Sequence, residues 1–225
     1  MFAKARQLIN ELGLSNSCFY VIDRLCRRFS NGNCYLIRYL IVSQPISSKS
    51  LLPAKRGSKF IIREVVLGDP VISKFPVPEK VICERFAQNA KCFIAEKEND
   101  FVGYIWIVHQ KYAEDEVRAI YFLPDGNSVW DFDVYITPQY RLGPAFLKLW
   151  DHVNAILIRK GVNCSFSRIS AFNPGSKHAH ERLGAKILYK ANFLVLGRLQ
   201  ITVLGCAPYL HVSTKKNVSI AIPSE

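Results

Sequence analysis

The chain has 225 residues, of which 49% are hydrophobic, so it can bury a substantial core and its composition excludes intrinsic disorder. Lysine and arginine number 30 against 18 aspartate and glutamate residues, which gives a formal net charge of +12. Such a charge attracts polyanions: nucleic acid, an anionic membrane face or a phosphorylated cofactor. A basic, solvated surface without a specific partner explains the charge equally well, and both explanations stay open.

The seven cysteines are scattered along the chain and form no CxxC pair. Metal sites need ligands at short spacings, so we expect no bound metal. We expect the thiols to be reduced and most of them to lie in the core. Reduced thiols are typical of the cytoplasm, where we expect the protein to be located. The start of the chain lacks the apolar run of a secretory signal. Because no stretch reaches the ~20 apolar residues that cross a bilayer, we expect no transmembrane segment.

Residues 1–58 are expected to form an N-terminal extension of two helices, a strand and a linker. The first helix covers residues 4–12, and Ser15 or Ser17 caps the second. Apolar residues recur in the second helix at helical spacing and predict its buried face; they are Phe19, Ile22, Leu25, Cys26 and Phe29. The residues between them form a basic side of Arg24, Arg27 and Arg28. A strand over 34–42 and a linker over 43–58 complete the extension.

From residue 59 onward, the pattern predicts the order β-α-β-β-β-β-α-β-α-β-β. The predicted strands are 59–66, 91–95, 101–109, 117–123, 129–136, 162–172 and one or two more within 187–204. The predicted helices begin near Pro78, at Ala145 and at Pro174. This is an α+β layout around a mixed, mainly antiparallel sheet. We assign it to a domain over 59–215, followed by a loose tail over 216–225.

The segment from Trp130 to Ala185 carries the chemistry. An alternating strand enters the turn Ile136-Thr137-Pro138-Gln139-Tyr140-Arg141-Leu142-Gly143-Pro144, which opens an amphipathic helix at Ala145. The free N–H groups at a helix N-terminus bind phosphate, and a strand can hold an extended arm by its main chain. A second strand ends at Asn173, and Pro174 then opens a second helix.

In order and spacing, this segment resembles the core of the GCN5-related N-acetyltransferase superfamily, as a bacterial-type member with an N-terminal extension. The family turn V-x-P-x-x-R-x-x-G-x-G/A is matched with one residue fewer between Arg141 and Gly143. The resemblance implies a splayed sheet and direct transfer of an acetyl or other acyl group from acetyl-coenzyme A, as co-substrate, to an amine. The cofactor-binding residues that it implies are Val134, Ile136, Arg141, Leu142, Gly143, Ala145, Phe146, Asn173 and Ser176.

The second family pattern, N-x-x-S/A-x-x-x-Y-x-x-x-G-F/A, is matched from Asn173 to Ala185 with His180 in place of the usual tyrosine. The family tyrosine protonates the leaving thiolate, and an imidazole can donate a proton near neutral pH. Asp131 and Asp133 alternate with Tyr135 on one predicted strand face, so either carboxylate could accept the proton of the amine. For the histidine, a packing role stays open; for the carboxylates, solvent exposure or pairing with a basic neighbour stays open.

The amine acceptor is expected to be a small molecule or a peptide. A non-catalytic module that binds coenzyme A or a partner is the main alternative to an enzyme. Nucleic acid is not favoured, because no basic-aromatic or helix-turn-helix motif occurs. The basic helix around Arg24, Arg27 and Arg28 could contact anionic lipid, although a solvated face is the simpler explanation. The acidic residues 114–116 are expected in a solvated loop.

Overall fold

The computed structural model describes residues 2–53 and 55–223, with side chains from residue 6 onward. The described residues form five α-helices: α1 (Phe2–Leu12), α2 (Leu14–Phe29), α3 (Glu79–Ala87), α4 (Ala145–Arg159) and α5 (Pro174–Arg182). Single 3-10 turns cover Pro70–Lys74 and Pro138–Tyr140. The part of the chain described here contains no helix that is long and apolar enough to cross a membrane.

Strands make up most of the remaining regular structure. They are β1 (Cys34–Pro45), β2 (Ile61–Val65), β3 (Lys91–Lys97), β4 (Asp100–Val108), β5 (Lys111–Ala113), β6 (Ala119–Phe122), β7 (Ser128–Ile136), β8 (Cys164–Ser170), β9 (Lys186–Leu196), β10 (Leu199–Leu204), β11 (Leu210–Ser213) and β12 (Val218–Ala221). Strands β12, β6 and β5 form a small sheet of their own, and the others belong to a large sheet. All but one of the registers described below are antiparallel, so the predicted α+β class with a mainly antiparallel sheet is confirmed.

The chain divides into two compact units. The first unit comprises Met1–Gln44, Ala113–Tyr121 and Ser167–Ala221, and the second comprises Pro45–Tyr112, Phe122–Phe166 and Ile222–Glu225. Residues 1–44 therefore share a unit with segments that lie far beyond residue 58. The expected division into an N-terminal extension over 1–58 and a transferase domain over 59–215 stays a prediction.

In the first unit, the strand order is β11-β10-β9-β1-β8. Strand β1 pairs with β9 from Cys34↔Leu196 to Ser43↔Lys186, with a bulge after Ile41. Strands β9 and β10 form a hairpin that begins at the Leu196↔Leu199 pair. A strand from the N-terminal segment is thus an integral member of this sheet, which local sequence patterns do not reveal.

In the second unit, the strand order is β8-β7-β4-β3-β2. The β3–β4 pairing confirms the hairpin predicted around residues 97–100. Strands β7 and β8 are joined by helix α4 and run parallel, with pairs from Ser128↔Cys164 to Trp130↔Phe166. A crossover helix between two strands is the usual route to a parallel pair. The parallel register covers only the first third of the nine-residue strand β7.

Three local expectations need correction. Residues 216–225 are not a loose tail where they are described, because Val218 and Ile220 of β12 are fully buried. The thiols are all free, but only Cys92 is buried, and Cys18 and Cys83 are exposed. The N-cap of helix α2 is Gly13 rather than Ser15 or Ser17, and Ile22, Leu25 and Phe29 of its predicted buried face are exposed.

Candidate functional site

Strand β7 contains a bulge at Asp133. Its register against β4 shifts between Tyr104↔Tyr135 and Trp106↔Phe132, and Asp133 has a φ of +46°. The extra residue places Phe132 and Tyr135 on one face: the rings of Tyr104 and Tyr135 lie 5.6 Å apart, and those of Trp106 and Phe132 6.0 Å apart. The simple alternation predicted for this strand is therefore wrong, because a bulge reverses the side-chain direction beyond it.

The Asp133 carboxylate is held by an arginine and a tyrosine. Arg85 Nη1 of helix α3 lies 2.5 Å from Asp133 Oδ2, and the Tyr104 hydroxyl donates to the same oxygen at 2.8 Å. The Arg85 guanidinium is buried beneath the rings of Trp106 and Phe132, at 5.5 and 5.3 Å. Burial, reinforced by the Asp133 charge, raises the pKa of Tyr104, so its hydroxyl stays protonated and can donate. Asp133 therefore pairs with a basic neighbour, the alternative that the sequence left open.

The Asp131 carboxylate has a different partner. It is 1% exposed, and the Ser165 hydroxyl of β8 donates to Asp131 Oδ1 at 2.5 Å. This contact lies beside the last parallel pair, Trp130↔Phe166. Asp131 and Asp133 therefore do not form a shared acidic pair: the first ties β7 to β8 and the second ties β7 to α3.

The turn between β7 and α4 is built by main-chain hydrogen bonds. The Thr137 amide donates to Val102 O at 2.8 Å, and the Gly143 amide donates to Tyr140 O at 3.0 Å. Arg141 Nε donates to Ile136 O at 3.0 Å, which fixes this arginine beside the end of the strand. The predicted contact residues Val134, Ile136, Arg141, Leu142, Gly143, Ala145 and Phe146 all lie in this strand–turn–helix, with Ile136 and Ala145 buried and Leu142 fully exposed.

Helix α4 begins at this turn without a side-chain cap. Pro144 occupies the N-cap position and forms no side-chain cap hydrogen bond. A helix of 15 residues carries a partial positive charge at its N-terminus. Lys97 adds to it, with Nζ 5.7 Å from the Tyr140 ring, and neither Lys97 nor Arg141 nor Lys148 forms an ion pair with a described residue. The turn is thus a cationic site with amide donors.

Helix α5 begins as predicted. Asn173 is its N-cap, and the Asn173 Oδ1 atom accepts a hydrogen bond from the Ser176 amide at 3.0 Å. Pro174 occupies the first helical turn. Asn173 is exposed, and among the described residues its Nδ2 group has no hydrogen-bond partner.

His180 lies inside the first unit rather than on its surface. It is 4% exposed, and its Nδ1 atom lies 3.0 Å from Oε1 of Gln44 on β1. Burial lowers the pKa of His180 to about 4. The imidazole is therefore neutral at pH 7, which argues against the predicted role as a proton donor, since that role needs an imidazolium near neutral pH.

An arginine that sequence reasoning missed organises the acidic residues 114–116. Arg168 of β8 binds Glu114 with both arms, Nε–Oε2 at 2.6 Å and Nη2–Oε1 at 2.7 Å, and lies within 3.6 Å of Asp115 and Glu116. The Glu114 side chain is fully buried, and burial raises its pKa against the opposing effect of Arg168. Tyr39 donates to Glu116 Oε2 at 2.6 Å. The prediction of a solvated loop is therefore wrong for Glu114. The sequence feature that could have indicated an acidic partner is Arg168, an arginine within a predicted apolar strand.

Comparison with known proteins gives structural matches alone. No family model and no curated protein matches the chain. A functionally unknown conserved protein from Staphylococcus epidermidis matches with a TM-score of 0.53 and 10% identity, over 78% of this chain and 68% of that one. A Drosophila protein matches with a TM-score of 0.50 and 12% identity, over 76% of this chain and 57% of that one.

GCN5-related N-acetyltransferases are among the matching structures. The one from Sphaerobacter thermophilus is 12% identical, with a TM-score of 0.46 over 86% of this chain and 57% of that one. At these identities, the comparisons concern the fold.

Proposed function

We propose that this chain transfers an acetyl or other acyl group from acyl-coenzyme A directly to an amine, as the GCN5-related N-acetyltransferases do. One observation carries the proposal. Strand β7 leads through a turn containing Arg141 and Gly143 into the uncapped N-terminus of α4. This is the arrangement that a pyrophosphate with an extended thioester arm requires.

The turn is proposed to bind the phosphates. Ala145 and the following first-turn residues supply amide donors, and the helix dipole favours an anion there. Because Pro144 has no N–H group, it cannot contribute a donor of its own. Arg141 supplies a guanidinium whose Nε is already oriented by Ile136 O. Coenzyme A is polyanionic, so the nearby Lys97 and Lys148 also favour it over a neutral ligand.

The later part of β7 is proposed to hold the pantetheine arm through its main chain. The parallel pairs with β8 end at Trp130, upstream of Val134 and Ile136. The bulge at Asp133 turns this part of the strand away from simple alternation, as bulges near binding sites do. For Asn173 and Ser176, the support is the family resemblance together with the exposed Nδ2 donor of Asn173.

In the reaction, the amine nitrogen attacks the thioester carbonyl and loses a proton, the C–S bond breaks, and the coenzyme leaves as a thiolate that takes up a proton. We propose that water carries these protons and that His180, Asp131 and Asp133 keep α5 and β7 in position. The support is their burial or pairing: His180 with Gln44, Asp131 with Ser165, and Asp133 with Arg85. The acceptor is proposed to be a small-molecule or peptide amine, and the cytoplasm, which supplies acyl-coenzyme A, to be the place of reaction.

Because His180, Asp131 and Asp133 are already buried or paired with other side chains, the same observation favours a second function. In this second function, the chain is a non-catalytic module that binds coenzyme A. One pair of measurements separates the two. Calorimetry measures coenzyme A affinity, and free-thiol release from acetyl-coenzyme A is followed with a panel of amines. Binding with amine-dependent thiol release supports the transferase. Binding without release supports the module, and absence of binding overturns both.

A further inference from the structure

Helix α2 presents an apolar stripe to solvent. Its members recur at helical spacing and are Leu14, Cys18, Val21, Ile22, Leu25 and Phe29. At ~100° per residue they fall within about 100° of the helix circumference. Leu14 is 67% exposed and Phe29 is 82% exposed. A contiguous exposed apolar patch of this kind is a mark of an interaction surface.

The outward direction of the stripe is fixed by polar contacts on other sides of the helix. Asp23, which lies opposite the stripe, accepts a hydrogen bond from the Leu36 amide at 2.9 Å and pairs with Arg27 at 2.9 Å. Ser17 is buried against α1, where its hydroxyl donates to Leu8 O at 3.1 Å. Rotation of α2 that buried the stripe would therefore break the hydrogen bonds of Asp23 with the Leu36 amide and of Ser17 with Leu8 O.

Helix α1 extends the same surface. Leu8 and Ile9, together with Leu14, Cys18, Val21 and Ile22, line an open apolar groove of about 380 Å³. Ile9 is 41% exposed. The groove and the stripe form one continuous apolar face of the helix pair, which we name the α1–α2 face.

The exposed charges beside the stripe of α2 are cationic. Arg24 and Arg28 border the stripe along one side, both are exposed, and neither forms an ion pair with a described residue. The one acidic residue of α2, Asp23, is buried and bound to Arg27. A second copy of the chain would bring the same cations against these two arginines. A bilayer with anionic headgroups offers both an apolar interior and opposite charge.

We propose that the α1–α2 face docks on the surface of an anionic membrane. Helix α2 lies in the plane of the interface with its stripe among the acyl chains, while Arg24 and Arg28 contact the headgroup phosphates. This membrane binding does not depend on acyl transfer. It places the acyl transfer proposed above at a membrane surface.

The test is co-sedimentation of the full chain with vesicles of phosphatidylcholine alone or mixed with phosphatidylglycerol. Leu25→Gln with Phe29→Gln removes apolar area, and Arg24→Gln with Arg28→Gln removes charge. The matched control is Val203→Gln with Val212→Gln, which changes two exposed valines of β10 and β11. All positions are exposed, and circular dichroism verifies that each variant is folded.

The parent chain and the control should bind the mixed vesicles and should release them as salt rises. Each α2 variant should bind at least about 10-fold more weakly, because interfacial affinity follows buried apolar area and basic charge. The proposal is overturned if the parent chain ignores anionic vesicles or if the α2 variants bind like the control. It is also overturned if the parent chain dimerises and the same substitutions abolish the dimer, since the face then belongs to a second copy.

Discussion

Arg85 and Asp133 form an ion pair in which the cation is buried and the anion reaches solvent. The Nη1–Oδ2 distance is 2.5 Å, and the side chains are 7% and 32% exposed. This carboxylate stabilises the buried guanidinium, and removal of one partner of a buried ion pair is strongly destabilising.

We therefore expect Asp133→Asn to lower the free energy of unfolding by about 3 kcal/mol. Arg85→Met should cost less, because it leaves the partly exposed carboxylate in contact with water. The double variant should cost less than the sum of the two, which urea denaturation would show. Glu84→Gln on the same helix, where the charge is exposed, is the control. Additive losses would mean that the pair is not coupled.

The buried His180 predicts a loss of stability in acid. Its folded pKa of about 4 lies below the ordinary value of 6.5, so between these pH values the unfolded chain binds a proton that the folded chain does not. Stability conferred by the neutral imidazole is thus complete above pH 6.5 and falls as pH drops towards 4, by about 3 kcal/mol at most. Melting temperatures from pH 4 to 7 should fall less steeply for His180→Gln. Parallel curves for the two chains would contradict this.

The catalytic role of His180 is tested by kinetics with an accepted amine. We expect His180→Gln to change kcat less than about 10-fold, because a neutral, buried imidazole contributes position rather than a proton. His178→Gln, at an exposed site on the same helix, is the control. A loss of kcat of about 100-fold or more at unchanged KM would restore His180 as the acid that the sequence predicts.

The turn before α4 predicts which residues hold coenzyme A. Arg141→Gln and Gly143→Trp should each weaken binding by about 10-fold or more, the first by loss of a charge-assisted hydrogen bond and the second by obstruction. Arg159→Gln, at the other end of the same helix, should bind normally. Calorimetry decides the matter: if both turn variants retain the parent affinity, the phosphates do not bind at this turn.

Asn173 allows capping and ligand binding to be separated. Asn173→Ala should destabilise the chain by about 1 kcal/mol through loss of the α5 cap and should also weaken coenzyme A binding. Asn173→Asp retains a capping oxygen but removes the Nδ2 donor, so it should preserve stability and still weaken binding. If Asn173→Asp binds as tightly as the parent chain, Asn173 only caps the helix.

Local periodicity was sufficient for most of the element order beyond residue 59, because helical and strand spacing are properties of neighbouring residues, but it missed the short strands β5, β11 and β12. It could not predict the bulge at Asp133, since the segment reads as regular alternation and the register shift depends on pairing with β4. The Arg168–Glu114 pair joins segments that are distant in sequence. For α2, spacing identified an apolar face but not its direction, which Asp23 determines through the Leu36 amide.

The pairing of β1 with β9 has a consequence for biosynthesis. Cys34 of β1 lies opposite Leu196 of β9, so β1 has no partner on that side until residue 196 has left the ribosome. Such distant pairing slows folding and leaves an unpaired strand edge exposed in the meantime. Early protection by a chaperone would therefore benefit this chain, and deletion of its first 44 residues would remove a central strand rather than an appendage.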